Sequence, residues 1–98
     1  MQTIQPIGRT PTNYEKLAIP TDAVIRLTEA YRIVAKAVFV TIESNNIRYR
    51  IDGGDPDAND GHVVVSGGNI YFTDVTSILN LRMIGSGGAA VAIVTYYI

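Results

Sequence analysis

Four aspartates, Asp52, Asp55, Asp57 and Asp60, fall within nine residues that also hold two glycines and a proline. Clustered carboxylates on a glycine-rich turn are the donor type a hard cation such as calcium takes, with roughly six to eight oxygens around the ion. The spacing is not that of an EF-hand loop, and no glutamate closes it. Asp and Asn also populate turns because their side chains accept hydrogen bonds from nearby backbone amides. The segment is read first as a structural turn, with calcium at these four aspartates as the alternative. No other cofactor is expected. The only histidine, His62, ends the loop, where its expected role is to lock the turn by hydrogen bonding. Ser66, His62 and Asp60 are the residue types of a nucleophilic triad, but triads assemble in space and leave no local signature here. The chain is not read as an enzyme. Gly85-Ser86-Gly87-Gly88 lacks the lysine and the following helix that a phosphate loop needs. Arg48, Arg50 and Arg82 project from polar strand faces. They are read as a solvated surface with weak ion pairs, or alternatively as an arginine-bearing contact patch for a protein partner.

The elements that carry these residues are strands. Ile47, Tyr49 and Ile51 alternate with Arg48 and Arg50, the period-2 pattern of a strand with one buried and one charged face. Ala35–Glu43 holds the β-formers Val38, Phe39, Val40, Thr41 and Ile42. Ser44-Asn45-Asn46 is turn chemistry, so these two strands are expected to form a hairpin. His62–Val65 and Ile70–Phe72, joined through Ser66-Gly67-Gly68-Asn69, give a second hairpin signal. Val24–Leu27 is a short strand candidate, and Thr28–Val34 is either a helical turn or a connection. Ile78–Ile84 alternates Leu79, Leu81 and Met83 with Asn80 and Arg82 and reads as a strand. Helix is not expected after residue 44. Short strands between glycine turns predict an all-β chain: an antiparallel β-sandwich, or a jelly-roll-like small barrel.

The chain has 98 residues, 47% of them hydrophobic, with a formal net charge of −1. That suits one small domain with a real core. It offers no basic patch for nucleic acid. With no cysteine there is neither a disulfide nor a thiolate metal site. No apolar run approaches the ~20 residues of a membrane span, and no secretory signal is read at Met1–Ile7.

Residues 1–22 differ from residues 23–98. They hold Pro6, Pro11 and Pro20 and show no sustained apolar period, which predicts an extended N-terminal arm outside a β-sandwich domain. Ile4, Ile7, Tyr14, Leu17 and Ile19 are its candidate anchors on a neighbouring subunit. The arm is expected to serve assembly and not folding. At the other end, Val91, Ile93 and Thr95 share one strand face, and Ala92, Val94, Tyr96 and Ile98 share the other. Both faces are largely apolar, so the strand is either central and covered on both sides by the chain's own elements or buried on one side against another subunit, with Tyr96, Tyr97 and Ile98 as the second set of expected interface residues.

Ile47-Arg48-Tyr49-Arg50-Ile51-Asp52-Gly53, then Pro56, then Gly61-His62, resembles a pattern in small virion proteins of tailed bacteriophages. Gly67-Gly68, Ile78–Ile84 and Val94-Thr95-Tyr96-Tyr97 follow in the same order, so the resemblance covers about residues 36–98. Asp55, Asp57 and Asp60 depart from it, since related loops are richer in threonine and alanine. The resemblance implies a small β-sandwich built into a virion, a cement, decoration or minor structural component of the head or the tail. The first expectation drawn from it is a non-enzymatic capsid cement or decoration protein that bridges major capsid protein subunits at the capsid surface, working as a homo-oligomer, most simply a trimer. The alternatives are a structural component of the tail, neck or fibre, and a glycan-binding module of a tail fibre using Tyr71 beside Asn69.

Overall fold

A computed structural model describes residues 9–98. The chain is mostly β. Its strands are β1 (Pro11–Ile19), β2 (Ile25–Arg26), β3 (Ala37–Glu43), β4 (Asn46–Arg50), β5 (His62–Val64), β6 (Asn69–Phe72), β7 (Arg82–Ser86) and β8 (Ala90–Tyr97), with short helices α1 (Glu29–Arg32) and α2 (Val75–Asn80). They build two four-stranded antiparallel sheets, ordered β1-β8-β3-β6 and β2-β7-β4-β5, which do not close into a barrel.

Neither expected hairpin forms. β3 pairs with β6 and β8, and β4 pairs with β5 and β7. The Ser44-Asn45 turn therefore carries the chain from one sheet to the other. Both residues take left-handed backbone, at φ 50° and 63°, a conformation Asn tolerates better than most residues. Gly67 and Gly68 do the same between β5 and β6, tied by backbone bonds of 2.8 and 2.9 Å to Ile42 of β3. Asn45 donates its side-chain amide to the Ala89 carbonyl at 2.7 Å, pinning the β3–β4 turn to the β7–β8 turn. Gly85 sits where a Cβ would lie 2.8 Å from the carbonyl oxygens of Ile19 and Gly88. Only glycine admits that approach. Turn composition was legible, but whether a turn returns to the same sheet or crosses to the other is decided by what lies beneath it.

The segment read as a strand over Ile78–Ile84 begins as α2. Asp74 caps it, accepting from the Ser77 backbone N–H at 3.2 Å and the Ser77 hydroxyl at 2.9 Å, the usual satisfaction of a free helix N-terminus. Ile78 and Leu81, three apart, are both buried. The alternation that suggested a strand holds only from Leu81 on.

The expected boundary at residue 22 is corrected. Pro11–Ile19 is a strand of the β1 sheet, paired with β8 at Pro11↔Tyr97 and, after a register shift between Pro11 and Asn13, in continuous register from Asn13↔Tyr96 to Ile19↔Ala90. Ile19 is fully buried and Leu17 packs against the core. Prolines at both ends kept the segment from looking like a strand, yet Pro11 begins it and Pro20 follows it, where no ladder bond is lost. The core draws on both sheets: Ile19, Val38, Val40, Ile42, Phe72, Ala92, Val94 and Tyr96 from one, Ile47 and Met83 from the other, with Leu27, Ile78 and Leu81 from the connections. Residues 11–19 thus belong to the folding unit. Ile19→Ala is expected to destabilise the domain by about 2–5 kcal/mol, read as a lower urea midpoint at unchanged slope. A midpoint equal to wild type would return β1 to the status of an arm.

Candidate functional site

The residues with chemical potential meet on the outer face of the β2 sheet. Ile47 of β4 and Met83 of β7 point into the core, so their neighbours Arg48, Arg50 and Arg82 point out. The register places Arg26 opposite Arg82 and Arg82 opposite Arg50, a row of three guanidinium side chains across three strands. Arg48 lies two residues along β4, opposite Ile84 and Val63. Sequence reading missed Arg26, because β2 has only two residues and shows no alternation.

Four like charges on one face repel unless neutralised. The aspartate-rich loop between β4 and β5 folds back and does this. Arg50 donates to both oxygens of Asp52 at 3.0 and 2.6 Å and stands 3.6 Å from Asp60. Arg82 donates to Asp55 at 2.7 Å. Arg48 donates to the carbonyls of Ala58 at 3.1 Å and Gly61 at 2.9 Å. Arg26 donates to the Leu79 carbonyl at 2.6 Å. Bidentate pairing of the Arg50–Asp52 type fixes geometry as well as charge. Pro56 is buried beneath the loop. Gly61 takes a φ of 128°, which L side chains rarely adopt, and a Cβ there would sit tightly, 3.1 Å from both the Pro56 Cβ and the Tyr49 carbonyl oxygen.

An open groove of about 510 Å³ runs beside this network, lined by Arg50, Ile51, Asp52, Asp60, Gly61 and His62. The Arg50 guanidinium lies between Asp52 and Asp60, where a cation joining those carboxylates would have to sit. Asp55 turns to Arg82, and Asp57 accepts from the Asn59 backbone N–H at 2.8 Å. Among the described residues no group of three or more His, Cys, Asp or Glu is arranged to hold a metal ion. No hydrogen bond joins Ser66, His62 and Asp60. His62 instead lies beside Tyr49, with ring centroids 5.2 Å apart, and Ser66 donates its backbone N–H to Asn46.

The expected interface residues separate. Ile4 and Ile7 lie outside the described residues. Tyr14 is 65% exposed and Ile98 50% exposed. Tyr96 and Tyr97 are corrected: at 0% and 5% exposure they are buried within one chain and offer no free contact surface. Tyr96 packs on Tyr31 at a centroid distance of 5.2 Å and donates its hydroxyl to Glu15 of β1. Glu15 also accepts from the Thr28 hydroxyl at 2.5 Å. A tyrosine can end a core strand in this way, its ring apolar and its hydroxyl satisfied. Burial, then the Glu15 carboxylate, pushes the Tyr96 phenol well above its ordinary range.

Comparison with protein-family models, curated proteins and solved structures finds no match for this chain.

The Arg50 guanidinium, and after it the Gly54 backbone N–H, hold the Asp52 carboxyl at about 2, against an ordinary 3.8. A carboxyl depressed in the folded state contributes stability that is present above its unfolded pKa and is lost as pH falls through the folded one. The Arg50–Asp52 contact is therefore expected to persist at pH 4 and to be lost near pH 2. Following the Asp52 carboxyl carbon by NMR reads this directly, and titration near 4 would overturn it. Asp52→Asn is expected to remove the Asp52 step from the loop's low-pH NMR titration while leaving the core resonances unchanged.

Proposed function

We propose that the two sheets pack face to face as a jelly-roll sandwich and that the chain is a structural component of a phage virion, acting as a capsid cement or decoration protein. The observation that carries the fold is the strand order. β1-β8-β3-β6 and β2-β7-β4-β5 is the arrangement produced when a long antiparallel ribbon, with β1 beside β8, β2 beside β7, β3 beside β6 and β4 beside β5, wraps into two sheets. Eight-stranded double Greek keys of this kind serve as viral capsid and lectin domains. The sequence resemblance to small virion proteins favours the capsid member of that pair. A fold alone does not assign a function, so the two lines are joined here as a reading.

The chemistry of the surface agrees with a structural part. Arg48, Arg50 and Arg82 are engaged by the chain's own loop, Arg50 and Arg82 through its carboxylates, and Arg26 by the Leu79 carbonyl, so this face is held by contacts within the chain. A cement protein acts by mass action: a component that binds only the assembled shell stabilises that shell. Its partners would be the major capsid protein and copies of itself. Tyr96 and Tyr97 were expected to supply contacts of the oligomer, and their burial removes them as an interface, so no oligomer number is part of the proposal. The glycan-binding alternative retains Tyr71 and Asn69, both on β6.

The test is co-sedimentation of the purified protein with empty phage heads, run in parallel with host cells, followed by heat challenge of the loaded heads. Saturable binding to heads and a raised temperature of head disruption are expected. Binding to cells with none to heads would replace this reading with the glycan-binding one.

A further inference from the structure

The groove beside the arginine–aspartate network is lined by polar groups that the chain satisfies and by others that it leaves open. Asp52 is spent: its oxygens accept from Arg50 at 3.0 and 2.6 Å and from the Gly54 backbone N–H at 3.2 Å. Arg50 also donates from Nη1 to the Asp55 carbonyl at 3.3 Å, so three of its N–H groups are used and two remain of the five a guanidinium carries. The Asp60 carboxylate is 68% exposed and stands 3.6 Å from Arg50 Nη1, beyond hydrogen-bond distance. Neither Asp60 nor the exposed His62 has a side-chain hydrogen-bond partner among the described residues. Both are nevertheless held in place. Asp57 and Asp60 exchange backbone bonds of 3.0 and 3.3 Å. Gly61 accepts from Arg48 at 2.9 Å. His62 is paired with Tyr49 in the β4–β5 ladder, its ring beside the Tyr49 ring.

We propose that this groove binds a neutral saccharide through adjacent hydroxyls. Donors and acceptors decide the ligand class. The open carboxylate of Asp60 only accepts, the remaining N–H groups of Arg50 only donate, and a neutral imidazole does one of each. A phosphate or carboxylate ligand brings acceptors alone. It also meets like charge, since Asp52 cancels Arg50 and Asp60 is left over. An amine brings donors alone and is repelled by Arg50. Adjacent sugar hydroxyls bring both functions. A hydroxyl seated beside the 3.6 Å gap accepts from Arg50 Nη1 and donates to Asp60. Its neighbour donates to the other Asp60 oxygen, and a further sugar oxygen reaches the His62 ring. Ile51 gives the lining an apolar patch for the C–H face of a pyranose. The groove's volume of about 510 Å³ lies within the ~300–1,000 Å³ of small-ligand sites. It is open, so little of one sugar is buried, and a Kd of about 1 mM for a monosaccharide follows. The groove lies on the β2 sheet, away from Tyr71 and Asn69 of β6. Sugar binding here stands apart from the virion reading, so either can fail without the other.

Titration of the isotope-labelled full chain with free glucose, galactose and mannose up to about 100 mM, a range that brackets millimolar dissociation, tests it by amide NMR. Saturable shifts are expected at Asp60, Gly61 and His62 with at least one of the three hexoses. Inorganic phosphate and methylamine are each expected to bind at least about tenfold more weakly than that hexose. Asp60→Asn is expected to weaken its binding at least about tenfold and His62→Ala about threefold. Both side chains are exposed and bond nothing within the described chain, so both variants are expected to fold, and unshifted core methyl resonances check this. Tetrasaccharides of the same hexoses separate two sources of the sugar. Tighter binding than the monosaccharide assigns the groove to a glycan chain, and equal binding assigns it to a free sugar. No shift with any of the three hexoses overturns the proposal. So do shifts confined to Asn69 and Tyr71, tighter binding of phosphate or methylamine, or sugar binding indifferent to both substitutions.

Discussion

β8 lies between β1 and β3, so strands from opposite ends of the described chain share a ladder that runs from Pro11↔Tyr97 to Ile19↔Ala90. Closing a loop of that length costs about 4 kcal/mol of chain entropy beyond a constant. That is the size of burying one or two large apolar side chains. Ile19 from β1 and Ala92, Val94 and Tyr96 from β8 offset it. The Glu15 carboxylate ties the same two strands a second time, holding the Tyr96 hydroxyl and Thr28 together. Thr10 and Ile98 extend the pairing with reciprocal backbone bonds of 3.2 and 2.9 Å. Every other strand of that sheet is positioned relative to this ladder.

The second organising device is electrostatic and local. Arginines at alternate positions of β4, with Arg82 and Arg26 beside them, cannot share a sheet face unassisted. The loop that follows β4 supplies compensating groups for Arg48, Arg50 and Arg82 within a dozen residues, and the Leu79 carbonyl of α2 takes Arg26. Surface ion pairs taken singly contribute ~0–1 kcal/mol, so this network is better understood as fixing the path of a long connection than as supplying much stability. Its bidentate Arg50–Asp52 contact, the buried Pro56 and the side-chain-free position of Gly61 all point to one loop conformation. These residues form a self-contained unit.

Much of this was legible in the residues, and the failures have specific causes. The all-β class, the strand at Ala37–Glu43 and the buried and charged sides of Ile47–Arg50 follow from β-branched content and period 2. The aspartates were visible as turn chemistry. Their engagement of Arg50 and Arg82 was not, because it depends on β7 arriving beside β4 from thirty-odd residues away. The hairpin readings failed because Ser44-Asn45 and Gly67-Gly68 are compatible with either a return or a crossing. The α2 reading failed because Leu81 and Met83 continue an alternation that begins inside a helix capped by Asp74. The two-sided apolar character of β8 was read correctly and assigned too simply. Its Ala92–Val94–Tyr96 side is core, and the Val91–Ile93–Thr95 side is the outer face.

The sheet-crossing turns carry a consequence for how the chain acquires its structure. Of the connections between consecutive strands, only that from β4 to β5 returns to the neighbouring strand of the same sheet. Local pairing therefore builds almost nothing. Nearly every ladder waits for a distant segment, a topology that folds slowly compared with one rich in neighbouring contacts. While β8 is absent, β3 lacks its main partner and presents Val38, Val40 and Ile42 on a strand with an open edge, the kind of surface that self-associates. Made at high concentration, this chain would lose material to aggregation during the interval before its last strand docks, and the finished domain would show no trace of that vulnerability.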